Sequence, residues 1–334
     1  MACVIAGAIV VAQTTAQIAL APTSTPTRRP TLPFTATPRA TATDSATPTP
    51  LFSPTVAATP TQTPTPAPTR TPRPATQKFL LDRPVAIAAE GNSPSRNYLF
   101  GTTRAGELDV HHGEEFENDT GTPVFSVADG TVIVAGNDKD PICGDNNRTP
   151  CGREVLPKGF YGNLVVVQLS KTYKNQRVFA LYGHLNSVDV FLGRNVIIGD
   201  VVGEIGATGI AGGPHLHFEV RVGQNTYAHT RNPIIWMNPL PGRGSLAGRY
   251  ADAKNQAVQG AAIKIYREDG SYIGATETYS RDKNPAVVSD EELQENFAFP
   301  DLLPGDYIVR VEGTQFAAKV KIEDGKLAFV DLGG

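Results

Sequence analysis

Gly213-Pro214-His215-Leu216-His217-Phe218-Glu219-Val220-Arg221 is the stretch that decides how this chain is read. Its apolar and β-branched residues predict a strand. Side chains two apart on a strand share a face, so His215 and His217 point one way and Leu216 the other. Two imidazoles side by side suit a metal site in which one ligates and the other handles protons. Alone, the pair fits two hydrogen-bonded surface histidines equally well, so the case depends on what the rest of the chain supplies.

The chain has six histidines, at 111, 112, 184, 215, 217 and 229. His111-His112-Gly113-Glu114-Glu115-Phe116 places a carboxylate four residues after His111, on the same side of an extended segment. His111, Glu115 and His217 together offer two nitrogens and one oxygen, with a fourth position left for water. That ligand count belongs to a catalytic zinc site rather than a structural one, and it predicts one Zn2+ per chain. His215, and His184 within Leu181-Tyr182-Gly183-His184-Leu185, are then available as proton acceptor and as stabiliser of an oxyanion.

Several ordered stretches surround these residues: His111 to Phe116, Gly121-Thr122-Pro123-Val124, Ala128-Asp129-Gly130-Thr131-Val132, Tyr161-Gly162-Asn163-Leu164-Val165-Val166, Tyr182-Gly183-His184-Leu185, Gly199 to Gly206, and Thr208-Gly209 followed by Gly213 to Glu219. In that order the chain resembles the lysostaphin-type (LytM-like) zinc endopeptidases, which cleave peptide links in bacterial peptidoglycan. The likeness covers roughly residues 97–240. It implies that His111, the acid at 115 and His217 ligate zinc, and that His184 and His215 are the catalytic pair. His112 is then a neighbour of the site and His229 ordinary surface. The family pattern carries Asp where this chain has Glu115, one methylene longer. A wall-binding or amidase-activating member of the same fold, impaired in catalysis, is therefore the alternative.

Short candidate strands fill this part of the chain: Val124–Val127, Thr131–Ala135, Leu164–Leu169, Arg177–Tyr182, Val196–Ile198 and His215–Arg221. Turns fall at Asp129-Gly130, Gly162-Asn163, Gly199-Asp200 and Ala211-Gly212-Gly213. Helical periodicity is absent. The expectation is a mainly β protein with a compact antiparallel β peptidase domain over 77–240. A second unit at 244–332 alternates apolar and polar residues at Ala262–Tyr266, Asp306–Val311 and Lys319–Ile322, which predicts a small antiparallel β-sandwich. Its pattern, from Gly248-Arg249-Tyr250-Ala251-Asp252 to Leu303-Pro304-Gly305-Asp306-Tyr307-Ile308-Val309-Arg310-Val311, resembles the transthyretin-like, carboxypeptidase-regulatory-like domains. With no histidine or cysteine, it reads as a spacer or wall-binding accessory.

The N-terminal part has another character. Within residues 1–21, residues 2–12 are apolar and small, and Gln13, Thr14, Thr15 and Gln17 then dilute the pattern, so the apolar run is too short for a membrane span of roughly 20 apolar residues, and no basic residue precedes it. The segment reads as the tail of an export or anchor segment. Residues 22–76 form a Thr/Pro tract that holds 14 of the chain's 27 prolines and a single acid, Asp44. Such a tract cannot bury a core and favours extended polyproline II, which predicts a disordered stalk. Cys143 and Cys151 flank a polar loop, which predicts a disulfide in an oxidising compartment, with a second zinc site as the alternative. A formal net charge of −3 gives no basic surface for nucleic acid. The layout predicts an extracytoplasmic protein touching a membrane only through its N-terminal segment, and the resemblance implies peptidoglycan peptides as what it acts on.

Overall fold

The computed structural model describes residues 78–138 and 159–333. The apolar segment 1–21, the Thr/Pro tract 22–76, and Cys143 and Cys151 with the disulfide expected between them lie outside these residues. Among the described residues, no helix is long and apolar enough to cross a membrane.

The first half builds one nine-stranded sheet: β1 (Glu114–Phe116), β2 (Pro123–Phe125), β3 (Gly130–Asn137), β4 (Asn163–Leu169), β5 (Val178–Val188), β6 (Asn195–Val196), β7 (Val201–Ile205), β8 (Leu216–Val222) and β9 (Thr230–Arg231). The main order is β1-β8-β5-β4-β3-β6, with β9 on β8 and with β7 joining β2 to β5. Every pairing in it is antiparallel. The run Leu164-Val165-Val166-Val167 is apolar without alternation because β4 is covered on both faces. Val165 and Val167 enter the main core with Tyr182, Phe218 and Trp236, while Leu164 and Val166 pack with Val134, Tyr161 and Leu181 on the other side.

Three departures from the sequence expectation have physical reasons. β5 continues past Tyr182 to Val188, through His184 at φ 61°. Its pairing register shifts on both sides of that point, between Asn163 and Val165 against β4 and between Leu185 and Ser187 against β7. β6 stops at Val196, and Ile197 and Ile198 lie exposed in the turn that follows. β1 and β7 are short strands that local apolar alternation does not announce.

The second half forms two sheets. β10 (Gly244–Ala251), β13 (Phe297–Leu302) and β16 (Leu327–Gly333) run in the order β13-β10-β16; β11 (Ala262–Arg267), β12 (Tyr272–Glu277), β14 (Gly305–Val311) and β15 (Ala317–Ile322) run in the order β12-β11-β14-β15. One pairing, β10 with β16, is parallel. Leu246, Phe297, Phe299, Val330 and Leu332 from the first sheet share a core with Ile263, Ile265, Tyr307, Val309 and Val320 from the second. The main core of the first half also takes in Ala247, Leu293, Ala298, Leu327 and Phe329, so the two halves are packed together.

Candidate metal and catalytic site

β1 and β8 pair in a register that puts Glu115 directly opposite His217, and β5 pairs with β8 so that Gly183 faces His217 from the other side. Sheet register alone thus brings residues a hundred positions apart to one spot. His111 arrives just before β1. Its Nε2 lies 2.8 Å from Glu115 Oε1, and the same oxygen lies 3.1 Å from His217 Nδ1. The two nitrogens are 3.4 Å apart. Gly113 makes this approach possible, since a Cβ there would sit 2.6 Å from His217 Cε1. The three donor atoms predicted from the sequence converge within 4.8 Å of one another. Two imidazole nitrogens and a carboxylate oxygen around one point are the donor set that zinc takes, and the longer Glu115 side chain reaches both histidines.

His215 and His184 stand beside this group. His215 Nε2 is 2.7 Å from Glu115 Oε2, and the His184 and His215 rings are 4.8 Å apart. Each has its other nitrogen committed to a backbone carbonyl: His184 Nδ1–H donates to Thr208 O at 2.8 Å, and His215 Nδ1–H to Gly213 O at 2.8 Å. A carbonyl only accepts, so each ring carries a proton on Nδ1 and, when neutral, a lone pair on Nε2; His215 donates to Glu115 Oε2 only with a second proton, on Nε2. The left-handed backbone at His184 is uncommon for a residue with a side chain and coincides with the register shifts that re-aim β5. Burial, followed by the charges of His217 and His215, depresses the His184 pKa to about 3.

The period-two count along β8 continues beyond His217 to Glu219 and Arg221, which were not anticipated as functional. Glu219 Oε1 accepts from Tyr161 Oη at 2.6 Å, from His112 Nε2 at 3.0 Å and from His217 Nε2 at 3.1 Å; Glu219 Oε2 accepts from Arg221 Nε at 2.6 Å. Arg221 also donates to Tyr161 Oη and to Asn225 Oδ1, at 2.8 Å each. All of these side chains are buried. His217 is thereby fixed with a proton on Nε2, which leaves Nδ1 to face Glu115 and His111. Burial opposes charge on His217, yet Glu115 and Glu219 on either side raise its pKa to about 9. Burial likewise opposes the charge of Glu115, but His217 and the hydrogen bonds from the three histidines hold its carboxyl well below the usual range.

His112, His217 and Glu219 form a second convergent group. The Arg221 guanidinium already supplies Glu219 with a positive partner, so this group reads as an ion-pair network. The structure places His112 beside the His111–Glu115–His217 group, with its Nε2 3.0 Å from Glu219 Oε1. His229 has its Nδ1 2.6 Å from Thr226 Oγ1 and takes no part in the cluster. Tyr98, also unanticipated, stacks on His111 with ring centroids 4.1 Å apart and planes 9° from parallel.

Residues 109–229 match the model of Peptidase family M23. The chain is 30% identical over 148 residues to the peptidoglycan DD-endopeptidase ShyB of Vibrio cholerae, which covers 44% of this chain and 28% of that protein. It is 31% identical over 132 residues to the DD-carboxypeptidase/endopeptidase Mpg of Neisseria meningitidis, covering 40% of this chain and 24% of that one. The matched segment thus spans about a quarter of the length of these relatives. Among solved structures, a zinc-containing peptidase from Vibrio cholerae is 28% identical, with a TM-score of 0.31, and the match covers 46% of this chain and 38% of that one. The family model and the curated relatives support the M23 peptidase family for the segment that carries the site.

Proposed function

We propose that this protein is a zinc-dependent endopeptidase that hydrolyses peptide bonds of bacterial peptidoglycan. The observation that carries the reading is the convergence of His111 Nε2, Glu115 Oε1 and His217 Nδ1 on one point, with the Nε2 atoms of His184 and His215 alongside. Zinc held by those three residues, one per chain, supplies a Lewis acid that acidifies a water toward neutral pH and polarises the scissile carbonyl.

This chain's own residues do the rest. His215 takes a proton at Nε2 and returns it to the leaving amine, its ring held by the Gly213 carbonyl. With its Nδ1–H committed to the Thr208 carbonyl, His184 offers a lone pair at Nε2 and so accepts a hydrogen bond from the attacking water; the oxyanion role expected of it needs a proton that this tautomer does not carry on Nε2. Glu219 keeps His217 in the tautomer that ligates. The relatives named as peptidoglycan endopeptidases support cell-wall peptides as the substrate class. The apolar segment and Thr/Pro stalk support an extracytoplasmic position with N-terminal tethering. Residues 77–240 are the peptidase domain in this reading, and 244–332 a transthyretin-like accessory sandwich.

The alternative, an impaired member that binds the wall or activates an amidase, draws on Glu115 standing where the family pattern has Asp. One digest separates the two. The full chain is incubated with peptidoglycan, with and without a chelator and beside His217→Ala, and the fragments are identified by mass spectrometry. Chelator-sensitive peptide-bond cleavage that the substitution abolishes is the expected result. Zinc binding at one per chain without cleavage, or no zinc at all, would transfer the assignment to the alternative.

A further inference from the structure

The loop that leads into His111 is held from the second half of the chain. Gly101 N–H donates to the His111 carbonyl at 2.7 Å, and His111 N–H donates to the Thr102 carbonyl at 3.0 Å. Phe100 N–H donates to Glu114 Oε1 at 3.1 Å, and Tyr98 stacks on the His111 ring. Residues 98–102 therefore line the backbone and one ring face of a proposed zinc ligand. Immediately afterwards the chain takes three consecutive left-handed residues: Arg104 (φ 51°), Ala105 (φ 58°) and Gly106 (φ 88°). Two of the three carry side chains, which rarely adopt this region.

What faces that turn is one carboxylate, Glu277, the last residue of β12. Glu277 Oε2 accepts from Thr103 N at 2.9 Å and from Thr103 Oγ1 at 2.8 Å, while Oε1 accepts from Ala105 N at 2.5 Å. Backbone N–H groups gathered by a left-handed turn make a concavity suited to an anion. Two residues further on, the buried Tyr279 ring packs edge-on against Phe100, with centroids 5.2 Å apart and planes at 84°. Gly101, at φ +81°, lies so close that a Cβ there would be 2.2 Å from Tyr279 Cδ1. Tyr279 is itself anchored through a hydrogen bond from its Oη to Glu295 Oε1 at 2.9 Å.

We infer that Glu277, seconded by Tyr279, is a positioning residue of the metal site: it holds the 98–106 loop in a strained conformation and so places His111. The second half of the chain is then part of the machinery as well as an accessory. The metal-affinity consequence depends on the zinc reading above; the ordering of the loop does not.

The test uses the full chain, with Glu277→Ala, Glu277→Gln and the double variant Glu277→Ala/Ala105→Gly. Amide hydrogen exchange is followed without metal, and zinc affinity is measured by competition with a chromogenic chelator. In Glu277→Ala, exchange at 101–106 rises by about tenfold or more while β4 and β5 keep their protection. Zinc affinity falls about tenfold, the lower end of what outer-shell substitutions produce. Glu277→Gln loses less, because its amide oxygen still accepts. The double variant recovers part of the loss, because glycine takes φ +58° without strain. Parent-like exchange at 101–106 in Glu277→Ala overturns the inference, as does a loss of protection spread evenly through β4 and β5, which would mark a general structural role. If the parent itself binds no zinc, the zinc reading fails, and the exchange measurement still decides whether Glu277 orders the loop.

Discussion

β8 and β15 are both strands of alternating apolar and charged residues, and they put that alternation to opposite uses. In β15, Ala318, Val320 and Ile322 face the core while Lys319 and Lys321 face water. In β8, Leu216, Phe218, Val220 and Val222 face the main core, and His217, Glu219 and Arg221 on the other face are buried as well. Burying an ion costs several kcal/mol unless a partner and hydrogen bonds offset it. β15 avoids that cost. β8 accepts it and offsets it with the Arg221–Glu219 ion pair and with Tyr161, His112 and His217 all donating to Glu219. A well-packed apolar face would serve stability as well or better. The charged face of β8 is therefore best understood through what it does to His217.

Removing one member of the Glu219–Arg221 pair should have the largest effect. Arg221→Met leaves Glu219 ionised in the interior without its guanidinium, and stability should fall by about 3–5 kcal/mol in urea unfolding. Replacing both, as Glu219→Leu/Arg221→Met, should restore most of that loss, because no buried charge is then stranded. Zinc affinity should nonetheless drop roughly 10- to 100-fold in the double variant, since nothing holds the proton on His217 Nε2. A double variant that is stable and binds zinc like the parent would show the network to be structural after all.

Another buried carboxylate sharpens the contrast from the other side. Glu295 is fully buried, and burial together with nearby Asp290 pushes its pKa up to about 7. Tyr279 donates to it, Arg231 lies within its field, and Lys78 is engaged with Asp290 instead. A carboxyl whose folded pKa is raised contributes its stability fully below its unfolded value of 4.5, and that contribution is lost as pH rises through about 7. Glu295→Gln, which stays neutral, should escape the loss. Relative to the variant, the parent should weaken by roughly 3 kcal/mol between pH 4 and pH 8. Parallel stability curves for the two proteins would mean that Glu295 is paired well enough to stay charged.

The candidate site was legible wherever the residues that converge there lie within a few positions of one another or recur on a strand. His215 and His217 follow from strand alternation, Glu115 from its distance to His111, and the β1–β8 register completes the triad by pairing Glu115 with His217. Glu219 and Arg221 lie on the same period-two positions of β8 as His217. Tyr98 and Glu277 were not legible. The stacking of Tyr98 on His111 depends on how the 98–111 loop folds back on itself, and the contact of Glu277 with Thr103, 174 positions away, on how the two halves pack; neither leaves a local pattern. The short strands β1 and β7 were missed because each takes its conformation from its neighbours in the sheet.

The smallest expected effect lies in β15. Lys321 is exposed and pairs across the sheet with Asp306 at the start of β14. Lys321→Gln keeps the length and polarity of the side chain and leaves Val320 and Ile322 in the core. Thermal unfolding should move by no more than about 0.5 kcal/mol, as for other exposed positions away from special features. β15 is also an edge strand of the four-stranded sheet, where lysines discourage pairing with another chain. The consequence of Lys321→Val should therefore appear in sedimentation as concentration-dependent association rather than in the unfolding midpoint. A large stability loss in Lys321→Gln would mean that the outer face of β15 carries an interaction of its own, and the contrast with β8 would then lose one of its two sides.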